Sequence, residues 1–306
     1  MVDNRKESSG LPAWGATATS ILNGCIGDYL TDRDNGLAID MAFYARGKRL
    51  TLTADSLRSE WGVPTRKLCL LLHGLCCHEG VWYFHDDPTR SYGSALREDL
   101  GYTPLFLRYN TGLPIPYNGK SLDSLLEELL PACPEAIDEI ILVGHSMGGL
   151  VIRGACHYGA ERDAPWVRLV SRAFYLGTPH EGAMLEKVAD LMTSVVLRAV
   201  PHPVAGLVGD VAGRRSQGVK DLRDGTTVQA ADFSDAVPWL ASAQHYLIAG
   251  TVTEDPEHLA ARLFGDGLVH PPQAGDNVRL FPGLGHMDLA HDEAVYGQIR
   301  TWCAST

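Results

Sequence analysis

Ile140-Ile141-Leu142-Val143-Gly144-His145-Ser146-Met147-Gly148-Gly149-Leu150-Val151-Ile152 is the stretch that decides the fold. An apolar, largely β-branched run enters Gly-His-Ser-Met-Gly, and a helix-compatible apolar run leaves it. Strand, sharp turn and helix, with G-x-S-x-G at the turn, spell a nucleophile elbow. A serine that must stand exposed at the top of a sheet sits on a strained turn, where Gly144 and Gly148 keep strand and helix clear of each other. The N-terminus of the following helix points at Ser146 and favours negative charge there. A dinucleotide-binding loop fits poorly, because Gly144, Gly148 and Gly149 do not form G-x-G-x-x-G and the strand lies mid-chain.

Working outward, Lys67-Leu68-Cys69-Leu70-Leu71-Leu72-His73-Gly74 reads as a buried parallel strand ending in a glycine turn. Downstream, Phe174-Tyr175-Leu176-Gly177-Thr178-Pro179-His180-Glu181-Gly182 ends another strand in a tight turn. Gln244–Gly250 is a third buried strand, followed by Asp266-Gly267-Leu268-Val269. Arg279-Leu280-Phe281 is the last strand, followed by Gly283-Leu284-Gly285-His286. Strands alternating with helical segments imply a mostly parallel sheet clothed in helices.

With these motifs the chain resembles the α/β-hydrolase superfamily, in its lipase and esterase branch, from about residue 66 to about residue 300. The resemblance implies an α/β-hydrolase fold with an inserted helical cap. It also implies the roles. Ser146 is the nucleophile, His286 the general base and later the general acid, and Asp266 the carboxylate that holds the imidazole. Asp255 and Asp276 are rivals to Asp266, and His270 and His291 are weaker rivals to His286. The chain order Ser146, Asp266, His286 is that of the fold. The backbone N–H groups of Leu75 and Met147 would form the oxyanion hole, each supplying about 2.7–4 kcal/mol of barrier lowering. His73 belongs to the oxyanion turn and is read as structural. His180 is read as shaping the site.

The rest is less legible. An N-terminal extension over 1–65 precedes a hydrolase domain over 66–306. In it, 8–19 reads as a loose tail, 20–29 as a helix, 32–36 as a turn and 50–53 as an edge strand. Residues 37–44 fit helix or strand, and the region either wraps the sheet or lines one wall of the site. Trp14, Tyr29 and Trp61 are packing residues. Trp82-Tyr83-Phe84, beyond His78-Glu79, either wall an acyl group or cover the sheet edge. The spacing predicts a helix over 91–100, a strand over 105–109, a surface loop over 110–118 and an amphipathic helix over 121–130 capped by Ser121. Residues 183–240, with an apolar-faced helix from 185 to 200, are the expected cap or lid over a lipophilic pocket.

The chain has 306 residues, 45% apolar and 21% charged, with a net charge of −11. That is a globular composition without the basic patches that nucleic acid or an anionic membrane surface would need. The seven cysteines, an odd number lying partly in apolar runs, suggest reduced buried thiols in a cytoplasmic protein. No C-x-x-C pair marks a zinc site, and no apolar run reaches transmembrane length. The expectation is a serine carboxylic ester hydrolase that needs no cofactor and no metal. Its substrate would be a small-molecule or lipid-like ester. Thioesterase, deacylase, polyester hydrolase and acyltransferase share this chemistry. A noncatalytic scaffold or binding protein of the same fold is the alternative of a different class.

Overall fold

A computed structural model describes residues 13–62, 65–182, 215–229, 237–251 and 277–305. Among these residues, eight strands form one sheet: β1 Ala42–Ala45, β2 Lys48–Arg49, β3 Lys67–Leu72, β4 Thr103–Arg108, β5 Glu139–His145, β6 Val170–Leu176, β7 Gln244–Thr251 and β8 Val278–Pro282. Their order is β2-β1-β4-β3-β5-β6-β7-β8. Strands β3 to β8 run parallel, and β1 pairs antiparallel with both β2 and β4. The elbow strand β5 lies between β3 and β6, so the turns after all three meet at the carboxyl edge, where sites of open α/β sheets form.

Among the described residues, seven α-helices accompany the sheet: α1 Ala13–Asp32, α2 Ala54–Trp61, α3 Tyr92–Leu100, α4 Ile115–Ala132, α5 Met147–Glu161, α6 Gln217–Asp224 and α7 Glu293–Ala304. Side chains of β3 alternate between two cores. Leu68, Leu70 and Leu72 face a core completed by α1, α4, α5 and α6. Cys69 and Leu71 face one completed by α3 and α7. A period of two on buried parallel strands produces this division.

Three sequence expectations are corrected. The helix expected over 20–29 spans Ala13–Asp32, broken at Ile26, so part of the expected tail is helical. The Thr17 hydroxyl meets His78 Nε2 at 3.0 Å, and this distant contact is invisible to local periodicity. The edge strand expected over 50–53 lies instead at Lys48–Arg49, and Thr53 caps α2 by accepting from Ser56 N–H. Helix α4 begins at Ile115, inside the expected surface loop. Pro116 is tolerated there because the first turn needs no N–H from it. The Asp221 carboxylate of α6 accepts the Ile115 N–H at 2.9 Å.

Residues 183–214 and 230–236, most of the expected cap, lie outside the described residues, as do Asp255, Asp266, His270 and Asp276. Within the expected cap, α6 is described. Its Ser216 cap accepts from Val219 N–H and donates to the Gly24 carbonyl of α1. Among the described residues, no helix is long and apolar enough to cross a membrane.

Candidate active site

Ser146 caps α5 with φ 53° and ψ −123°, a conformation rare for a non-glycine residue. Only a strongly determined surrounding holds such a backbone. Its N–H donates to the Leu176 carbonyl at the end of β6, at 2.8 Å. The small neighbours are required by sterics. A Cβ on Gly148 would fall 2.4 Å from the Leu72 carbonyl oxygen of β3, and one on Gly144 would fall 2.6 Å from the Gly149 nitrogen. Among the described residues the Ser146 hydroxyl, although buried, has no hydrogen-bond partner. It is therefore available to a reacting group rather than committed to the fold.

His286 is brought to the elbow from the far end of the sheet. It follows β8 and is 6% exposed. The tie is His145, the motif residue before the serine. Its Nε2–H donates to the His286 carbonyl at 2.9 Å, and the two ring centres lie 4.9 Å apart. Sequence reading passed over His145, because its partner lies 141 residues away.

The turn after β3 lies against the same serine. A Cβ on Gly74 would fall 2.9 Å from Ser146 Cβ and 3.2 Å from His145 Nδ1. Leu75 and Met147 are both buried here. The Gly74 carbonyl accepts from Cys77 N–H at 3.2 Å and from His73 Nδ1–H at 3.0 Å. The His73 ring stacks on Tyr109 with centroids 4.6 Å apart, and Tyr109 donates its hydroxyl to the His73 carbonyl. Burial pushes the His73 pKa down to about 4, so the ring is neutral and serves the turn, as expected from the sequence. Cys76 has φ 61°, and its N–H donates to Thr111 Oγ1 at 3.1 Å.

His78 and Glu79 also serve structure. His78 Nδ1 accepts from Gly80 N–H, and Glu79 pairs bidentately with Arg108. Trp82 and Phe84 belong to the α3/α7 core, with Phe84 and Tyr92 ring centres 5.3 Å apart. These two rings pack in the core that covers the sheet. A cleft of about 350 Å³ flanks the His286 loop, lined by Phe84, His85, Asp86, Leu284 and Asp288 among others. Neither Ser146 nor Gly74 lines it, and its acidic rim does not suit an acyl chain.

His180 is joined to a different group. Its Nδ1 accepts from Arg153 Nη1 at 3.3 Å, and its ring meets Trp239 and Tyr175 at 5.0 Å each. Burial, with the charges of Arg153 and His245 adding to it, lowers its pKa to about 3, which unsuits it as a base. Arg153 also donates to the Val237 carbonyl and lies over Trp239. This box packs α5 against the turn after β6 and the segment before β7. All seven cysteines are free thiols. Among the described residues, no cluster of His, Cys, Asp and Glu has the arrangement to hold a metal ion.

The sequence model described as the alpha/beta hydrolase family matches residues 69–298. No curated protein matches the chain. Among solved structures, a Bacillus licheniformis lipase in mature form is similar, with 20% identity, a TM-score of 0.53, and 77% of this chain and 91% of that chain covered. A Pyrococcus furiosus esterase shares 14% identity at a TM-score of 0.46, with 78% and 81% covered. A Lactobacillus rhamnosis esterase B shares 14% identity at a TM-score of 0.42, with 95% and 94% covered.

Proposed function

Since the chain belongs to the alpha/beta hydrolase family, we propose that it is a serine hydrolase of carboxylic esters that works through an acyl-enzyme on Ser146. The observation that carries this reading is Ser146 itself: a strained non-glycine residue whose buried hydroxyl has no hydrogen-bond partner among the described residues.

The chemistry follows from that placement. Ser146 Oγ attacks the ester carbonyl while His286 takes its proton. The negative charge that develops on the carbonyl oxygen is received by the N–H groups of Leu75 and Met147. Two such donors, fixed before the reaction begins, stabilise the transition state more than the ground state. Asp266 holds His286 in the tautomer that accepts the serine proton. Collapse of the tetrahedral intermediate expels the alcohol, which leaves with the proton from His286. Water, activated by the same imidazole, then releases the acid and restores Ser146. The preferred substrate is a small or lipid-like ester whose acyl chain lies beneath the cap formed by part of 183–240.

The test is intact mass after treatment with a fluorophosphonate, on the wild type and on Ser146→Ala, beside hydrolysis of C2–C16 p-nitrophenyl esters. A single adduct on the wild type, lost in the variant, and turnover with a chain-length optimum are expected. No adduct and no turnover would overturn the reading in favour of a noncatalytic member of the fold.

A further inference from the structure

Thr111 is 1% exposed and lies on neither a catalytic motif nor a regular element. Its hydroxyl oxygen nevertheless accepts a backbone N–H from the turn beside Ser146, that of Cys76 at 3.1 Å. Cys76 follows Leu75 directly and holds φ 61°, a conformation that costs a side-chain-bearing residue free energy. A strained residue at that point needs an outside partner to keep it there.

The loop that carries Thr111 is fixed from three sides. Asn110 Nδ2 donates to the Gly27 carbonyl of α1 at 3.0 Å, and Asn110 Oδ1 accepts from Gly112 N–H at 3.0 Å. Asn118 of α4 donates to the Asn110 carbonyl at 3.0 Å. Gly218 N–H of α6 donates to the Gly112 carbonyl at 3.0 Å. Thr111 is thus an immobile acceptor, the kind of support that keeps a catalytic group within a few tenths of an ångström of its working place.

Peptide planarity converts this into a statement about Leu75. The Gly74 carbonyl and the Leu75 N–H share one plane and point in opposite directions. His73 and Cys77 pin that carbonyl on one side. The next plane, which carries the Cys76 N–H, is pinned by Thr111. With both planes fixed, the Leu75 N–H has one direction.

We propose that Thr111 is a positioning residue for the oxyanion turn: by accepting the Cys76 N–H it holds the turn in its left-handed form and keeps the Leu75 N–H directed at the reacting carbonyl. The role rests on the ester-hydrolase reading above, with Leu75 as oxyanion donor. Thr111 touches no substrate. Its effect falls on the transition state, where the oxyanion exists, and spares ground-state binding.

The experiment compares Thr111→Val, which keeps the shape and removes the acceptor, with Thr111→Ser, which keeps the acceptor. On p-nitrophenyl butyrate, kcat of Thr111→Val is expected to fall about 10- to 100-fold, below the loss for an oxyanion donor removed outright. KM stays within about twofold, and Thr111→Ser retains most of the wild-type kcat. A wild-type kcat in Thr111→Val, or an equal loss in Thr111→Ser, overturns the clamp. Amide exchange of the wild type gives a second reading that does not depend on the variants folding: the Cys76 amide is expected to be strongly protected, and rapid exchange there overturns the proposal. A wild type that turns over no ester and takes up no fluorophosphonate marks failure of the ester-hydrolase reading instead, and is distinguishable because it precedes any variant.

Discussion

On the α4/α5 face of the sheet, backbone meets backbone; on the α3/α7 face, aromatic rings fill the gap. A Cβ on Gly119 of α4 would fall 3.1 Å from the Gly154 carbonyl carbon of α5, and Gly148 meets β3 more tightly still. Across the sheet, Trp82, Phe84, Tyr92, Phe174, Tyr246 and Tyr296 share one core. Tyr92 lies 5.6 Å from Tyr296, and Phe174 lies 5.1 Å from Tyr246. Glycine contacts fix distances and give little burial. Ring contacts bury much area and tolerate small shifts. The site is built on the glycine face, where position is the scarce quantity, while bulk cohesion comes from both cores, the leucine-rich one with Trp166 and Tyr175 and the aromatic one across the sheet.

The sharpest way to break this comparison is Gly148→Val. Its side chain would enter the Leu72 and His73 carbonyls, which are backbone and cannot turn aside. A loss of stability above about 3 kcal/mol, with no fluorophosphonate labelling, is expected from overpacking; near wild-type urea stability would sink the steric account. Trp82→Ala probes the other face. A loss of about 3–5 kcal/mol is expected, while kcat of the folded fraction is retained. A selective collapse of kcat instead would tie the aromatic face to the site.

Acid comes next, and it acts through the glycine face. His73 and His180 have pKa values lowered to about 4 and about 3, chiefly by burial, from 6.5. The unfolded chain therefore binds their protons first. Stability is full above about pH 6.5 and falls as pH drops from there toward 4, with His73 contributing roughly 3 kcal/mol. Urea midpoints measured from pH 7 to 4 should show the slope, and His73→Phe should make it shallower, His180 supplying the remainder. The smallest effect is expected from His145→Leu. Losing the donor to the His286 carbonyl should lower kcat about tenfold, roughly the energy of one hydrogen bond. His145→Gln should recover part of it; equal loss in both variants would leave bulk, not the hydrogen bond, as the cause.

The elbow was legible because its determinants are local: a β-branched run, two glycines and a serine within a dozen residues. His286 was singled out through the family resemblance, which implies a histidine after the last strand, and it does follow β8. What escaped reading was held from a distance. Ala42-Phe43-Tyr44-Ala45 carries no alternation that separates strand from helix, and it becomes β1 through pairing with β4 more than sixty residues on. The start of α4 was hidden by Pro114 and Pro116, which usually mark loops but also suit a helix N-terminus. Thr111 and His145 have no local signature, because their partners come from other strands' turns.

The hairpin that ends the sheet beside β4 has a consequence for the protein in concentrated solution. An unpaired strand edge is a template on which other chains can add. Here that edge is β2, only two residues long, and both of them, Lys48 and Arg49, are exposed cations. A second molecule approaching this margin meets charged side chains, Arg49 paired with Asp40 at 3.7 Å, and almost no ladder to extend. The end of the sheet is thereby guarded against fibrous association, and Lys48 and Arg49 act as gatekeepers although they contribute little to the fold itself.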